Sequence, residues 1–222
     1  MRYKQIRDNN NLQKARFKGV GSYDIPPIRA EDAKTTFFVP FNYCAGYPHP
    51  EGTGVHFFLD DYQFKRVWDR PDGYLDMLRK FDCVLSPDFS AYEDYPLAVR
   101  IYNHYRKHWL AAYWQNEGIT VIPSIGWGDR DSYAWCFDGE PVGSTVAVSS
   151  YGVIHGDQAT RDRFMAGYGE MLRRLQPVKI LFHGPIPPGC GGNIIPITDH
   201  RLEDRKRRSR MGRIREEDHH DT

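Results

Sequence analysis

The sequence predicts a single α/β domain: a mainly parallel β-sheet flanked by helices, with an irregular N-terminal segment and a basic C-terminal tail. Three observations carry that expectation. Brief, nearly continuous apolar runs recur between residues 55 and 182, as strands buried on both faces require. Each run ends abruptly in polar residues. Between the runs lie amphipathic stretches of helical period, and strand–helix–strand repetition implies right-handed crossovers between parallel strands.

The elements follow in order. Residues 1–24 form a basic arm, and the polar stretch around Asn9-Asn10-Asn11 predicts a poorly ordered start. The α/β domain is expected over 25–200, opening at Ile25-Pro26-Pro27-Ile28. Phe37-Phe38-Val39-Pro40-Phe41 is apolar but broken by proline, which fits an edge strand or a packed loop. Residues 47–52 are a turn-rich connection. Strands are then expected at 55–59, 83–85, 120–125, 145–148 and 179–182. Helices are expected at about 73–80, at 96–116 with a stop at Gly118, and at 160–175. In the second helix Leu97, Ile101, Tyr105 and Trp109 share one face, widened by Tyr102, Tyr113 and Trp114. Phe164, Tyr168, Met171, Leu172 and Leu175 do the same in the third. Such stripes predict core. Gly189-Cys190-Gly191-Gly192 has no following Lys, so it predicts a flexible hairpin before 193–197, not a phosphate loop. Residues 201–222 form a basic, flexible tail.

Composition narrows the function. A chain of 222 residues that is 40% hydrophobic can bury one sizeable core. With 27% charged residues, no run near the ~18 apolar residues of a membrane span, and no apolar stretch in 1–18, a soluble cytoplasmic protein is expected. Cys44, Cys83, Cys136 and Cys190 stand far apart without a C-x-x-C pair, which fits reduced thiols. The histidines form no H-E-x-x-H motif, so neither a metal nor a cofactor is expected. G-x-x-x-x-G-K-[ST] and G-x-S-x-G are absent as well.

The net charge of +1 conceals a division. Residues 1–18 hold six basic residues and one acidic, and residues 201–215 hold eight and two. Residues 19–200 hold 16 basic and 22 acidic. Basic ends on an acidic body suit a grip on a polyanion, because each Lys or Arg at a phosphate releases a condensed counterion. DNA is the expected partner, with Arg205, Lys206, Arg207, Arg208 and Arg210 as contacts. No membrane and no protein partner is expected.

In parallel sheets ligands bind beyond the carboxyl ends of the strands. Asp60, Asp61, Asp88, Ser90, Trp127, Asp129, Ser149, Ser150, Tyr151 and His183 all follow apolar runs and would share that rim. The ordinary role of such residues is to cap the next helix, and capping is favoured for Ser90, Asp129 and Ser150. Asp88 lies between Pro87 and Phe89, where a half-shielded carboxylate can orient water or stabilise a cation. His183 opens the stiff loop His183-Gly184-Pro185-Ile186-Pro187 and can donate to a developing anion; a strand-end histidine bonded to backbone is the competing role. Phe89, Trp127 and Tyr151 can wall a flat ligand, although Trp127 fits a core position equally well.

Ser86-Pro87-Asp88-Phe89-Ser90, with Ile125-Gly126-Trp127-Gly128-Asp129 downstream, resembles a family of uncharacterised bacterial and phage proteins over roughly residues 35–200. The company of phages and mobile elements implies dealings with nucleic acid or phage defence. Mechanistically, Asp88 and the His183 loop are similar to the uracil-DNA-glycosylase-like enzymes. Those enzymes place a water-orienting Asp after the first strand of a parallel sheet and a base-facing His after the last. The chain departs from them: the Gly-Gln-Asp-Pro-Tyr signature is missing, Gly184 follows the histidine, and the strand at 55–59 is additional. Asp60-Asp61-Tyr62 competes for the aspartate position.

The resemblance implies a metal-free DNA glycosylase that acts on a flipped, modified nucleobase, for example in phage DNA, and leaves an abasic site. Its catalytic residues would be Asp88, His183 and Asp61. Phe89, Ser90, Trp127, Asp129, Ser150 and Tyr151 would bind substrate. Three alternatives stay open. One is a metal-dependent nuclease or phosphoesterase holding Mg2+ or Mn2+ on Asp60, Asp61, Asp88 and Asp129. The others are a non-enzymatic DNA-binding protein and a glycan-processing enzyme.

Overall fold

The computed structural model describes residues 10–199, and every pairing between its strands is parallel. The strands are β1 Phe37–Pro40, β2 Gly54–His56, β3 Cys83–Leu85, β4 Val121–Ile122, β5 Thr145–Ser149, β6 Lys179–His183, β7 Ile194–Pro196 and β8 Thr198–Asp199. One sheet has the order β4-β3-β2-β1-β8 and the other β5-β6-β7. Val39 registers with Val55, Val55 with Val84 and Val84 with Val121; Val146 registers with Ile180 and Ile180 with Ile194.

The two sheets meet at both seams. Beyond β4, Ser124 bridges Ala147, and the amides of Ile125 and Ala147 donate to Ala147 O and Pro123 O, each at 2.8 Å. At the other seam one residue separates β7 from β8, and that residue, Ile197, donates its amide to Phe182 O at 2.8 Å. The strands therefore close into a small parallel barrel, in which β7 and β8 are one strand passing from sheet to sheet. Closure removes the open edges that a sheet must otherwise protect.

The apolar runs are continuous because each strand buries both faces. Phe38, Cys83, Leu85, Ile122, Ala147, Leu181 and Ile197 fill the inside. Outward-facing Val39, Val55, Val84 and Val121 join the core under one set of helices, and Val146, Val148, Ile180 and Phe182 join a second. Space inside is limiting at Gly54, where a Cβ would lie 2.3 Å from the Phe38 ring. Gly54→Ala should therefore overpack the barrel and cost about 1–3 kcal/mol, measured by urea denaturation. An unchanged midpoint would show that the Phe38 ring can move aside.

The helices are α1 Arg66–Asp69, α2 Leu75–Leu78, α3 Leu97–Asn116 and α4 Gln158–Leu175. In α4 the Asp157 side chain caps Thr160 N, and Phe164, Tyr168, Met171 and Leu175 are buried as their spacing predicts. Helix α3 behaves differently along its length. Trp109 and Trp114 are core, but Leu97 is 53% exposed and Tyr102 is also exposed. The buried face of its first half carries Arg100, Asn103, His104 and Lys107 instead, because this half leans over the polar mouth of the barrel.

Other expectations need correction. Residues 37–40 are neither edge strand nor loop, since β1 lies between β2 and β8; Pro40 is tolerated as the last residue of its strand. Gly189-Cys190-Gly191-Gly192 leads not into a hairpin but into β7, parallel to β6, so His183 does not close the last strand. Asn11 is buried and donates to Trp68 O at 2.9 Å, while the Trp109 indole donates to Ala15 O, so residues 10–15 dock on the body. Cys44, Cys83, Cys136 and Cys190 are free thiols. Among the described residues no helix is long and apolar enough to cross a membrane.

Candidate functional site

The carboxyl ends of the strands open into a cavity of about 660 Å3. His56 ends β2, Asp88 follows β3, Trp127 follows β4, Tyr151 follows β5 and His183 ends β6; all five line it. This is the face on which parallel α/β barrels assemble ligand sites from loops.

His183 is held from several sides. Its ring stacks on Phe58 at 4.9 Å and 14°, lies 4.8 Å from the His56 ring, and meets Tyr151 edge-on at 4.7 Å. Ser149 Oγ stands 3.2 Å from Nδ1. The next residue turns with φ +97 at Gly184, where a Cβ would crowd Ser150 Oγ at 2.8 Å. Ser150 Oγ in turn donates to Pro185 O at 2.6 Å. Ser150 is thus fully buried and ties the histidine loop down from outside the cavity lining.

Asp88 is positioned by a serine crosslink. Ser124 N donates to Ser86 Oγ at 2.8 Å and Ser124 Oγ to Ser86 O at 2.9 Å, joining the ends of β3 and β4. Burial pushes the Asp88 carboxyl up to about 6; Asp61 adds to the rise, Lys107 opposes it, and no hydrogen bond from the described residues offsets it. Asp61 itself accepts from Ser90 N at 3.1 Å and Ser90 Oγ at 2.8 Å. Asp61 therefore holds the loop that carries Asp88 and does not line the cavity. Ser90 contributes to the wall but spends its hydroxyl on Asp61.

Asp129 is a cap, as its alternative reading has it. It accepts from Ser132 N at 2.9 Å at the head of the short 3-10 helix Arg130–Ala134 and pairs with Arg100 at 3.2 Å. The Arg100 hydrogen bond holds its carboxyl below the usual range, and it does not line the cavity. Phe89 reaches the wall, yet its ring packs in the core against Phe64 at 5.1 Å with the Arg106 guanidinium 4.0 Å from its centroid. Trp127 lines the cavity and rests on Phe164 at 5.2 Å; Gly167 leaves it room, since a Cβ there would approach the indole to 2.1 Å. Tyr151 is 44% exposed at the mouth. Arg205, Lys206, Arg207, Arg208 and Arg210 lie outside the described residues.

Sequence reading misses the contribution of α3. Asn103, His104 and Lys107 line the cavity, and Lys107 Nζ donates to Ser124 O at 3.0 Å and Glu140 Oε1 at 2.5 Å. His108 Nε2 is 3.0 Å from the same carboxylate oxygen. Burial pushes the Glu140 carboxyl up, but Lys107 and His108 outweigh it and leave it below its usual range. Burial, with His108 and Lys107 adding, holds His104 well below the usual imidazole range. The signal was present in the sequence as polar residues at 100, 103, 104 and 107, a helical stripe, and as two histidines at i, i+4. Among the described residues His104, His108 and Glu140 are the group close enough to hold a metal ion. Asp60, Asp61, Asp88 and Asp129 do not form one.

Fold and site together define an α/β barrel protein with a ligand-sized cavity at the carboxyl ends of its parallel strands. The chain belongs to the DUF4417 family, a domain of unknown function whose model matches residues 17–200. It is similar to the Gene 1 protein of Mycobacterium phage L5, with 38% identity over 172 residues, covering 77% of this chain and 75% of that protein. It is also similar to the Gene 1 protein of Mycobacterium phage D29, with 39% identity over 175 residues, covering 76% of this chain and 63% of the relative. No solved structure matches the chain.

Proposed function

We propose that the cavity hydrolyses the N-glycosidic bond of a modified nucleobase extruded from DNA, leaving an abasic site. The observation that carries this reading is Asp88, a carboxyl pushed up to about 6 in a cavity shared with His183 and flat aromatic walls. Breaking the bond develops an oxocarbenium ion on the sugar and negative charge on the departing base. Ionised Asp88 stabilises the cation and aligns water; His183 donates toward the base. Phe58, Trp127 and Tyr151 supply faces for stacking, and the volume lies in the range of about 300–1,000 Å3 usual for small ligands. The phage relatives and four free thiols fit an enzyme that meets phage DNA in the cytoplasm, as in phage defence. The test incubates the protein with natural and modified DNAs, single- and double-stranded, and scores alkali-labile sites. Strand breaks without alkali would indicate a nuclease, and intact DNA in every arm would end the glycosylase reading.

Asp88 must be ionised to act. Its carboxyl sits at about 6, facing Lys107 and Asp61, so kcat/KM should be full above that pH and fall with one proton as pH drops through it. A profile flat between pH 5 and 7.5 would remove Asp88 from the mechanism. The basic residues at 201–222 would hold phosphates by charge. Deleting residues 201–222 should weaken DNA binding and flatten its salt dependence, measured by titration at several salt concentrations. An unchanged slope would show that the grip lies elsewhere.

A further inference from the structure

We propose that His104, His108 and Glu140 bind one divalent transition-metal ion, with Zn2+ the best match, at the floor of the barrel mouth. The three residues come from α3 and from the segment before β5, and all are buried. One ligand atom from each lies within 4.8 Å of the others.

Hydrogen bonds fix which ring nitrogens are free to ligate. His104 Nε2 stands 3.1 Å from Asp138 O, and His108 Nδ1 stands 2.9 Å from Pro26 O. A carbonyl only accepts, so each of these nitrogens carries the ring proton. The lone pairs then sit on His104 Nδ1 and His108 Nε2. Anchoring the far nitrogen of an imidazole to a carbonyl is the arrangement that orients histidines at metal sites. His108 Nε2 thus directs a lone pair at Glu140 Oε1, 3.0 Å away. That oxygen already accepts from Lys107 Nζ, so the His108 lone pair faces an acceptor and has no donor among the described residues.

The carboxylate supplies the second observation. Glu140 Oε2 is buried without a hydrogen-bond partner among the described residues, and an unsatisfied carboxylate oxygen there is costly. Lys107 occupies Oε1, so Oε2 is the oxygen left for a metal. Two imidazole nitrogens at ~2.0–2.1 Å and one carboxylate oxygen at ~2.0–2.2 Å suit Zn2+, and three protein ligands leave a further position for water. Mg2+ and Ca2+ prefer sets of oxygens. The site stands apart from the glycosylase reading, because it can exist whatever the cavity cleaves.

The experiment uses the full chain, stripped with a chelator and dialysed against Zn2+. The wild type should bind one equivalent and melt several degrees higher with Zn2+ but not with Mg2+. His104→Gln and Glu140→Gln should each weaken binding by tenfold or more. Co2+ in place of Zn2+ should give visible ligand-field bands without thiolate charge transfer, which separates this site from Cys136 nearby in the wall. If the variants do not fold, long-range proton–nitrogen spectra of the wild type decide. Zn2+ must shift two imidazoles, one through Nδ1 and one through Nε2. No stoichiometric binding, full binding by folded His104→Gln, a thiolate band, or any other nitrogen pattern overturns the proposal.

Discussion

Asp88→Asn should reduce base excision by about 10²–10³-fold or more while raising the melting temperature at pH 7.5. The two effects share one cause. Burial lifts the carboxyl from an ordinary 3.8 to about 6 in the folded chain, so the native state disfavours the ionised form and binds the proton more tightly than the unfolded chain does. At pH 7.5 that ionised form is present, and its confinement costs at most about 3 kcal/mol. The cost diminishes as pH falls through 6 and is mostly gone at 4, where the folded state is protonated and the unfolded chain is about half protonated. An amide of the same shape avoids it. The variant should therefore melt several degrees above wild type at pH 7.5, with the gap narrowing toward pH 4. Single-turnover excision and calorimetry at the two pH values read both halves. A variant that melts lower would make Asp88 a structural residue.

Much of this site was legible because its carriers stand directly at the ends of apolar runs. Asp88 and His183 follow β3 and end β6, and parallel strands deliver such positions to one face. Asp61, Asp129 and Ser150 stand in the same pattern, yet each carboxylate or hydroxyl is spent on a loop. Sequence pattern does not separate the two fates, since loops and ligands are held by the same residue types. Barrel closure was illegible for another reason: its seams rest on main-chain hydrogen bonds around Ser124, Ala147 and Ile197, which leave no side-chain period. In α3 the aromatic stripe obscured the polar one. Glu140 has no local signal at all, because its partners lie 32 and 33 residues away.

That distant carboxylate carries the largest expected loss of stability. Lys107 and Glu140 form an ion pair whose side chains are 6% and 0% exposed. Removing one partner leaves the other charge buried without compensation, a change that typically costs about 3–5 kcal/mol. Glu140→Gln should accordingly lower the melting temperature by about 10 °C in chelator-treated protein, where the ion pair alone is read. Lys107→Met should be similarly damaging. The double variant should lose much less than the two losses combined, because it leaves no orphaned charge. Additive losses would show that the two side chains act separately. Lys107 also links this pair to the chemistry, because its ammonium opposes the rise of the Asp88 carboxyl. In Lys107→Met that opposition is gone, so the acidic limb of the pH–rate profile should move to higher pH. A limb that stays in place would show that Lys107 supports the fold without acting on Asp88.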